Sequence, residues 1–545
     1  MQVLSGHASR DHPRHTLMEV WIQSANRCSL RGASYRCHRG LVFRLLGILG
    51  GLSVAMDLGS GAPLEESLRR CVVAARLARL VGCSDEEVRA VIYTSLLQHL
   101  GCTASSHELA RTFGDDIAAI RLAFLTDLTQ PKDVIRTFVP RLAEATGQAK
   151  ARVLVSAVIA GMDSAGPSAT CEVARDAARR LGLQNSVQDS LFHMPTMWNG
   201  KGYPAVGGDA IPLSTRLMHV ASTAVLFHLH AGLDAAVFEV SRRAGTYLDP
   251  ALVAVFSPEI LGGIEDLDAY DAVLDAEPDP VRMIDRPELE AVARTFGDLV
   301  DLKTPRLLGH SSAVADLASD AAQLLGVGDP QDMRVAGHLH DVGRVGVSSR
   351  IWAKPGQLSA SERDQARLHP YYTERILTRV PALAGIAMLA SQHHERLDGS
   401  GYHRGVNSSQ LTLPSRVLAA SDCYRSQVEE RPYRPAAPAG EAARRLRAEV
   451  MARRLDEDAV AGVLDAAGHV GGVRRSRPAG LTERQIEVLR LMAQGMSNRE
   501  LADRLVISRR TAEHHVQDVY LRIGVSTRAA AALFAMEHGL LDKSG

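Results

Sequence analysis

The run His338-Leu-His-Asp-Val-Gly-Arg344 sets an imidazole beside a carboxylate (His340 and Asp341), and its frame occurs twice, because Leu96-Leu-Gln-His-Leu-Gly101 aligns with residues 338–343. A second pair of segments follows in the same order. Asn199-Gly-Lys-Gly-Tyr-Pro204 with Ile211-Pro-Leu-Ser-Thr-Arg216 mirrors Asp398-Gly-Ser-Gly-Tyr-His403 with Leu411-Thr-Leu-Pro-Ser-Arg416, the two differing by one residue of spacing. Two matches in the same order describe a tandem duplication. Between them apolar residues recur at three- and four-residue steps, as over 64–81, the period of a helix and not of a strand.

Composition agrees. Of 545 residues 46% are apolar, 23% charged and only 4% aromatic, a globular chain poor in the residues that build sandwiches and barrels. Sixty-two basic side chains balance 62 acidic ones, so a chain-wide coat for nucleic acid or membrane is excluded and any basic function is local. The seven cysteines are dispersed without a CxxC pair, which fits a reducing cytosol better than a disulfide framework. The apolar stretch 41–56 holds Arg44 and several glycines, falls short of the ~20 residues of a spanning helix, and is expected to be an amphipathic helix of the first domain. A bacterial cytoplasmic protein without membrane association is expected.

The organisation reads as an N-terminal extension (1–40, expected to be disordered), a first helical block (41–266), a connection (267–286), a second helical block (287–466), a Gly/Arg/Pro-rich linker (467–480) and a compact helical unit (481–545).

The second block concentrates His310, His340, Asp341, His369, His393, His394, Glu395 and Asp422. Imidazole with carboxylate and no thiolate suits Fe, Mn or Zn and disfavours a structural zinc knuckle. An aspartate directly after a histidine can bridge two ions, and such a pair can lower the pKa of a shared water and clamp a phosphoryl oxygen. Together with Lys354-Pro-Gly356, His369-Pro370 and His393-His-Glu-Arg-Leu-Asp-Gly-Ser-Gly-Tyr402, this set resembles the HD-GYP phosphodiesterases over roughly residues 300–435. These are all-helical metal enzymes of the HD superfamily that hydrolyse cyclic di-GMP. The resemblance implies two divalent transition-metal ions, Fe or Mn, held by His310, His340, Asp341, His369, His393, His394 and Asp422. It implies catalytic roles for Asp341 and Arg344, and nucleotide contacts from Tyr402, Arg431 and Arg434.

Three positions depart from the family pattern. Arg344 replaces the usual lysine, keeping a positive charge near the leaving phosphate but unable to act as an acid. His403 replaces the proline of Gly-Tyr-Pro, so a less rigid loop is expected. Arg306 stands where some members carry a glutamate for a third metal, which favours a two-metal site. In the first block Gln98 and His99 replace the His-Asp pair, Met194 and Pro195 stand for His393 and His394, and Ser222 for Asp422. That copy is expected to be degenerate, although His193, His219, His228 and His230 lie near enough in sequence to rebuild a site.

In the C-terminal unit Thr482 and Ser508 are expected as helix N-caps. Arg509, Arg510, His514, His515 and Gln517 fall on the polar side of a third helix, with Val516, Val519, Tyr520 and Ile523 inward. Helix, tight turn, then a helix with basic residues at its start is helix-turn-helix geometry. Leu481-Thr-x-Arg, Glu487-Val-Leu, Gly495-x-Ser-Asn, Ser508-x-x-Thr and His515 with Gly524-Val525 resemble the LuxR-type domain, with Gln485 and Ala512 as departures. The likeness implies phosphate contacts from Thr511 and its neighbouring arginines and base reading from 509–517, with the linker's Arg474, Arg475 and Arg477 adding non-specific attraction.

The expected fold class is therefore all-α: two HD-type helical domains plus a C-terminal helix-turn-helix domain of four helices. The expected partners are double-stranded DNA, a cyclic dinucleotide or similar small phosphodiester, and a second copy of the chain. The favoured reading is a one-component regulator. It competes with a transcription factor that senses ligand or metal without turnover, and with an enzyme that its DNA-binding domain only localises.

Overall fold

A computed structural model describes residues 35–37, 40–161, 165–468, 481–538 and 540–541. Arg474, Arg475 and Arg477 lie outside the described residues, as does most of the N-terminal extension.

Helices dominate, and their starts are written in the sequence. Ser84 with Glu87, Asp285 with Glu288, Ser359 with Glu362, Thr482 with Gln485 and Ser497 with Glu500 each close a capping box. In each, the cap's oxygen satisfies a free amide of the first turn and the later side chain satisfies the cap's own N–H.

The chain enters through a hairpin of β1 (Tyr35–Cys37) and β2 (Gly40–Arg44), and β2 also pairs with β3 (Met283–Ile284). The extension therefore includes at least one ordered strand. Beyond β2, the expected amphipathic helix is in fact buried almost all round over Leu45–Gly59. A helix apolar on every face has no outer side to offer water, and it belongs inside a larger core. It lies between the two blocks: a Cβ on Gly50 would meet Leu68 of the first, and one on Gly51 or Gly59 would meet Val380 or Val345 of the second.

The expected connection at 267–286 is likewise packed structure. Its helix Ala269–Ala276 buries Ala269, Val273 and Leu274, and the buried Glu277 carboxylate takes Arg44 Nε at 2.8 Å and the Tyr93 hydroxyl at 2.9 Å. Both blocks consequently share one continuous hydrophobic core.

A buried ion pair joins the blocks next to the His-Asp segment. Asp116 of the first lies 3.1 Å from the Lys303 ammonium of the second, and accepts from Ser348 Oγ and from the Ser349 amide and hydroxyl. Lys303 also donates to the Val345 and Val347 carbonyls. Asp116→Ala would leave a buried ammonium uncompensated, a change that costs about 3–5 kcal/mol. Urea denaturation is expected to show a loss of that size, and a loss below about 1 kcal/mol would mean that the carbonyls alone hold Lys303.

The C-terminal unit comprises Glu483–Ala493, Asn498–Leu505, Arg509–Ile523 and Arg528–Glu537. Its last helix docks on both blocks. Arg294 donates to the Met536 and Glu537 carbonyls at its end, while Glu172 accepts from Ser526 and Thr527 at its start. Two further contacts reach the loop before His310: a Cβ on Gly495 would meet Pro305, and one on Gly309 would meet Leu541.

Candidate metal centre and DNA-reading face

Five helices of the second block deliver the cluster. His340 caps the end of Pro330–Leu339 and Asp341 follows it, while His310 and His369 open the helices His310–Leu325 and His369–Leu377. His393 and His394 follow Ala384–Ser391, and Asp422 lies within Leu413–Val428.

The Asp341 carboxylate stands at the centre. Its Oδ2 faces His340 Nε2 at 3.1 Å and His310 Nε2 at 3.5 Å, and its Oδ1 faces His369 Nε2 at 3.3 Å and His393 Nε2 at 3.5 Å. Asp422 completes the first side, 3.3 Å from His310 Nε2 and 3.9 Å from His340 Nε2, and its other oxygen lies 3.7 Å from His394 Nδ1. Three overlapping groups of side chains, each with donor atoms within 4.8 Å of one another, can hold a metal ion: His369 with His393 and His394; His310 with His340 and Asp422; His340 with Asp341 and His393. All seven sequence-predicted ligands are brought together, and every such group among the described residues lies in the second block.

The donor chemistry fits metal. Both His310 nitrogens, His340 Nε2 and both Asp341 oxygens are buried without a hydrogen-bond partner, so their close approaches lack bonding geometry. Orphaned buried acceptors are expensive unless something outside the chain satisfies them. The second nitrogens of three rings are already fixed: Nδ1 of His340, His369 and His393 lies 2.7, 2.6 and 2.6 Å from the Gly337, Ala366 and Ala390 carbonyls, leaving Nε2 lone pairs facing inward. Burial alone would raise the Asp341 carboxyl; the Arg344 guanidinium and His340 hold it well below the usual range. Burial pushes His393 down to about 4, a neutral imidazole suited to ligation.

Around the centre, Arg344 Nε lies at ion-pair distance, 2.9 Å, from Asp341 Oδ2 and its guanidinium lies over the Trp352 ring, while its buried Nε and Nη1 have no hydrogen-bond partner. Tyr402 stacks on His394 with ring centroids 4.7 Å apart, and Arg367 covers its ring. Arg431 Nη2 is 3.1 Å from Glu429 Oε2. Arg434 turns elsewhere: its guanidinium donates to the Ser426 and Gln427 carbonyls, clamping the loop to the end of its helix.

His403 is tied to its surroundings, its Nε2 meeting Glu374 Oε2 at 2.8 Å, and Glu395 accepts the Arg404 and Val406 amides of the same loop. Glu395 thus shapes the loop and belongs to no metal-holding group. Sequence reasoning missed Glu374, Trp352, Arg367 and Glu429, none of which sits in a spacing pattern.

The first block repeats the frame with different chemistry. Ser67 donates to Asp57 as Ser311 does to Asp301, so Glu66 occupies the place of His310. The Arg121 guanidinium pairs with Glu66, and the fully buried Arg70 reaches the Ser95 carbonyl and His99. Guanidinium charge thus takes the place of unpartnered ring nitrogens. His219 is engaged by the Met194 carbonyl at 2.9 Å, and burial pushes it to about 4.

In the C-terminal unit Ser508 and Thr482 cap their helices as expected, and Gln485 closes its box through an amide oxygen, so that departure is harmless. Arg509, Arg510, Thr511, His514 and Gln517 are exposed and His515 is half-buried, even with the unit docked. Val516 and Val519 are buried, with Tyr520 and Ile523 packed beside them.

An HD domain family model matches residues 294–459, and that of the bacterial regulatory proteins of the luxR family matches 479–535. The chain is 30% identical over 408 residues to the 3'3'-cGAMP-specific phosphodiesterase 3 of Vibrio cholerae, covering 73% of this chain and 89% of that protein. The cyclic di-GMP phosphodiesterase of Thermotoga maritima is 32% identical over 163 residues, 29% of this chain and 44% of that one. The crystal structure of the V. cholerae cyclic GMP-AMP-specific phosphodiesterase V-cGAP3 superposes with a TM-score of 0.54 at 25% identity, over 79% of this chain and 99% of that one. With the His-Asp centre and a relative matched over nearly its whole length, the chain belongs to the HD-GYP phosphodiesterases and carries a LuxR-type DNA-binding domain behind the catalytic module.

Proposed function

We propose that the protein hydrolyses a 3'3'-linked cyclic dinucleotide, cGAMP or cyclic di-GMP, at a site for two Fe or Mn ions, and that a homodimer of the chain reports the state of that site to DNA. The carrying observation is the Asp341 carboxylate, each oxygen of which faces two imidazole nitrogens from different helices.

His310, His340 and Asp422 would hold one ion, His369, His393 and His394 the other, with Asp341 between. When bound, two such ions make a strong nucleophile of a shared water and neutralise charge on the phosphoryl group. The chain's own groups do the rest. Arg344, anchored through Nε and Trp352, offers its free Nη1 to a phosphate oxygen. Tyr402, stacked on His394 and covered by Arg367, keeps its ring beside the centre, and Arg431 offers a guanidinium fork. Arg434 would have to leave its carbonyls to join them.

The route to DNA is short. The DNA-binding domain packs against Pro305 and Gly309, the residues leading into His310, and against Arg294 on the helix Arg286–Asp301. That helix ends in Asp301, which holds the amide and hydroxyl of Ser311.

The test is hydrolysis of both cyclic dinucleotides by the purified, Mn- or Fe-reconstituted chain, followed by chromatography of the linear products. His99→Ala with His193→Ala is the internal control: unchanged metal content and turnover are expected, since neither residue stands in a metal-holding group. Loss of half the metal in that variant would mean that the first block carries its own site. Absence of turnover by fully loaded protein would favour the sensing reading, to which the Arg344–Asp341 ion pair and the missing lysine acid lend weight.

A further inference from the structure

We propose that Glu429 is a positioning residue of the metal site: its carboxylate holds the Nδ1 side of His310, turning Nε2 toward Asp341 and Asp422, and ties this ligand to Arg431. The inference rests on the reading of His310 as a metal ligand.

The argument begins with how the other rings are fixed. His340, His369 and His393 each follow the last turn of a helix, and each places Nδ1 on the carbonyl three residues back. A helix end leaves such carbonyls free, so the backbone supplies the orienting acceptor at no cost in side chains. His310 has no such neighbour. It is the first residue of its helix and follows Gly309, which sits at φ +80°. The residues behind it are the turn Pro305–Leu307, Leu308 and Gly309, and its Nδ1 instead lies 2.8 Å from Glu429 Oε2, an ion-pair distance that is off the line of a hydrogen bond, as is every approach to its Nε2. Histidine ligands nearly always give their second N–H to a carboxylate or carbonyl, and losing that partner costs about 10–100-fold in metal affinity.

Glu429 is held for this task. It caps the end of Leu413–Val428, the helix that carries Asp422. Arg431 Nη2 lies 3.1 Å from the same Oε2, and Arg425 Nε lies 3.4 Å from Oε1. One carboxylate oxygen therefore touches both a ligand imidazole and the arginine proposed to meet the nucleotide, so a shift of Arg431 on substrate binding is felt at His310.

The experiment is a Mn(II) titration of the full-length apoprotein read by electron paramagnetic resonance, with thermal melting of each apo variant alongside. Glu429→Ala is expected to bind one ion about 10–100-fold more weakly. Glu429→Gln, whose amide oxygen can still accept from Nδ1, should recover to within a few-fold of wild type. His310→Ala tests the underlying reading: wild-type binding in that variant would sink the assignment of the ligand itself. Weakened His310→Ala with wild-type Glu429→Ala overturns only the positioning role. A glutamine variant as weak as alanine, with unchanged melting, also overturns it, because an orienting hydrogen bond should survive that exchange.

Discussion

Replacing His340 and Asp341 together by alanine strips the protein of most of its transition metal and lowers cyclic-dinucleotide hydrolysis by about a thousandfold. The size follows from the role. Charge stabilisation by bound metal is worth several kcal/mol at the transition state, and about 4 kcal/mol corresponds to three powers of ten. Asp341 is the one carboxylate in contact distance of four imidazoles, so its loss disturbs both halves of the centre, whereas losing His394 disturbs one. Folding is affected as well, because Asp341 pairs with the buried Arg344 guanidinium at 2.9 Å and its removal leaves that charge without its partner. The double variant is thus expected to melt lower than wild type as apoprotein while holding far less metal by elemental analysis, and Asp341→Asn, which spares the packing, separates the loss of metal from the loss of stability. Wild-type metal content in the variant, or wild type that takes up no metal on reconstitution, would sink the site.

The cluster is legible in the sequence because its chemistry is written in pairs. His340-Asp341 and His393-His394 are adjacent, and metal-binding residue types this dense in one helical block have few structural uses. What the sequence hid was everything whose meaning depends on who faces whom. Glu429 carries no spacing signal, yet His310 needs an acceptor there because a short turn, and not the last turn of an α-helix, precedes it. Arg70 and Glu66 look like surface residues of an amphipathic helix, but both are buried in the first block, Arg70 against His99. The stretch 41–56 misled for a related reason. Its apolar residues run all round the helix, a pattern that marks burial between two bodies, and a sequence cannot say that the second body is the chain's own other half. The connection at 267–286 was misjudged by its prolines and aspartates. Asp268 is a helix cap there, and Glu277 a buried anchor for Arg44.

Arg509→Ala with Arg510→Ala abolishes promoter-specific binding while leaving metal content and phosphodiester hydrolysis unchanged. Both arginines open the helix Arg509–Ile523 behind the Ser508 cap, where a recognition helix presents its first turn to the major groove. Both are exposed with the domain docked, so neither supports the fold; Arg509 meets only Glu513 one turn on, at 3.0 Å, an exposed pair worth little. A good bidentate base contact contributes about 1–3 kcal/mol of discrimination, so two lost contacts weaken specific binding by roughly 30-fold to 20,000-fold. A lost phosphate contact instead weakens every sequence alike and lowers the salt slope by about 0.9 for each contact. The two roles therefore separate in one experiment: recovery of bound genomic fragments, then a salt titration on the best site and on random DNA. If a homodimer reads paired half-sites, about 34 Å apart for adjacent turns, the free-energy loss doubles and the fold-change is squared, because each protomer loses the same contacts. Identical fragments and an identical salt slope for wild type and variant would mean that this helix does not read DNA, whatever its likeness to the luxR family. Loss of specific binding with the slope intact would assign both arginines to bases, and a flattened slope with specificity retained would assign them to the backbone.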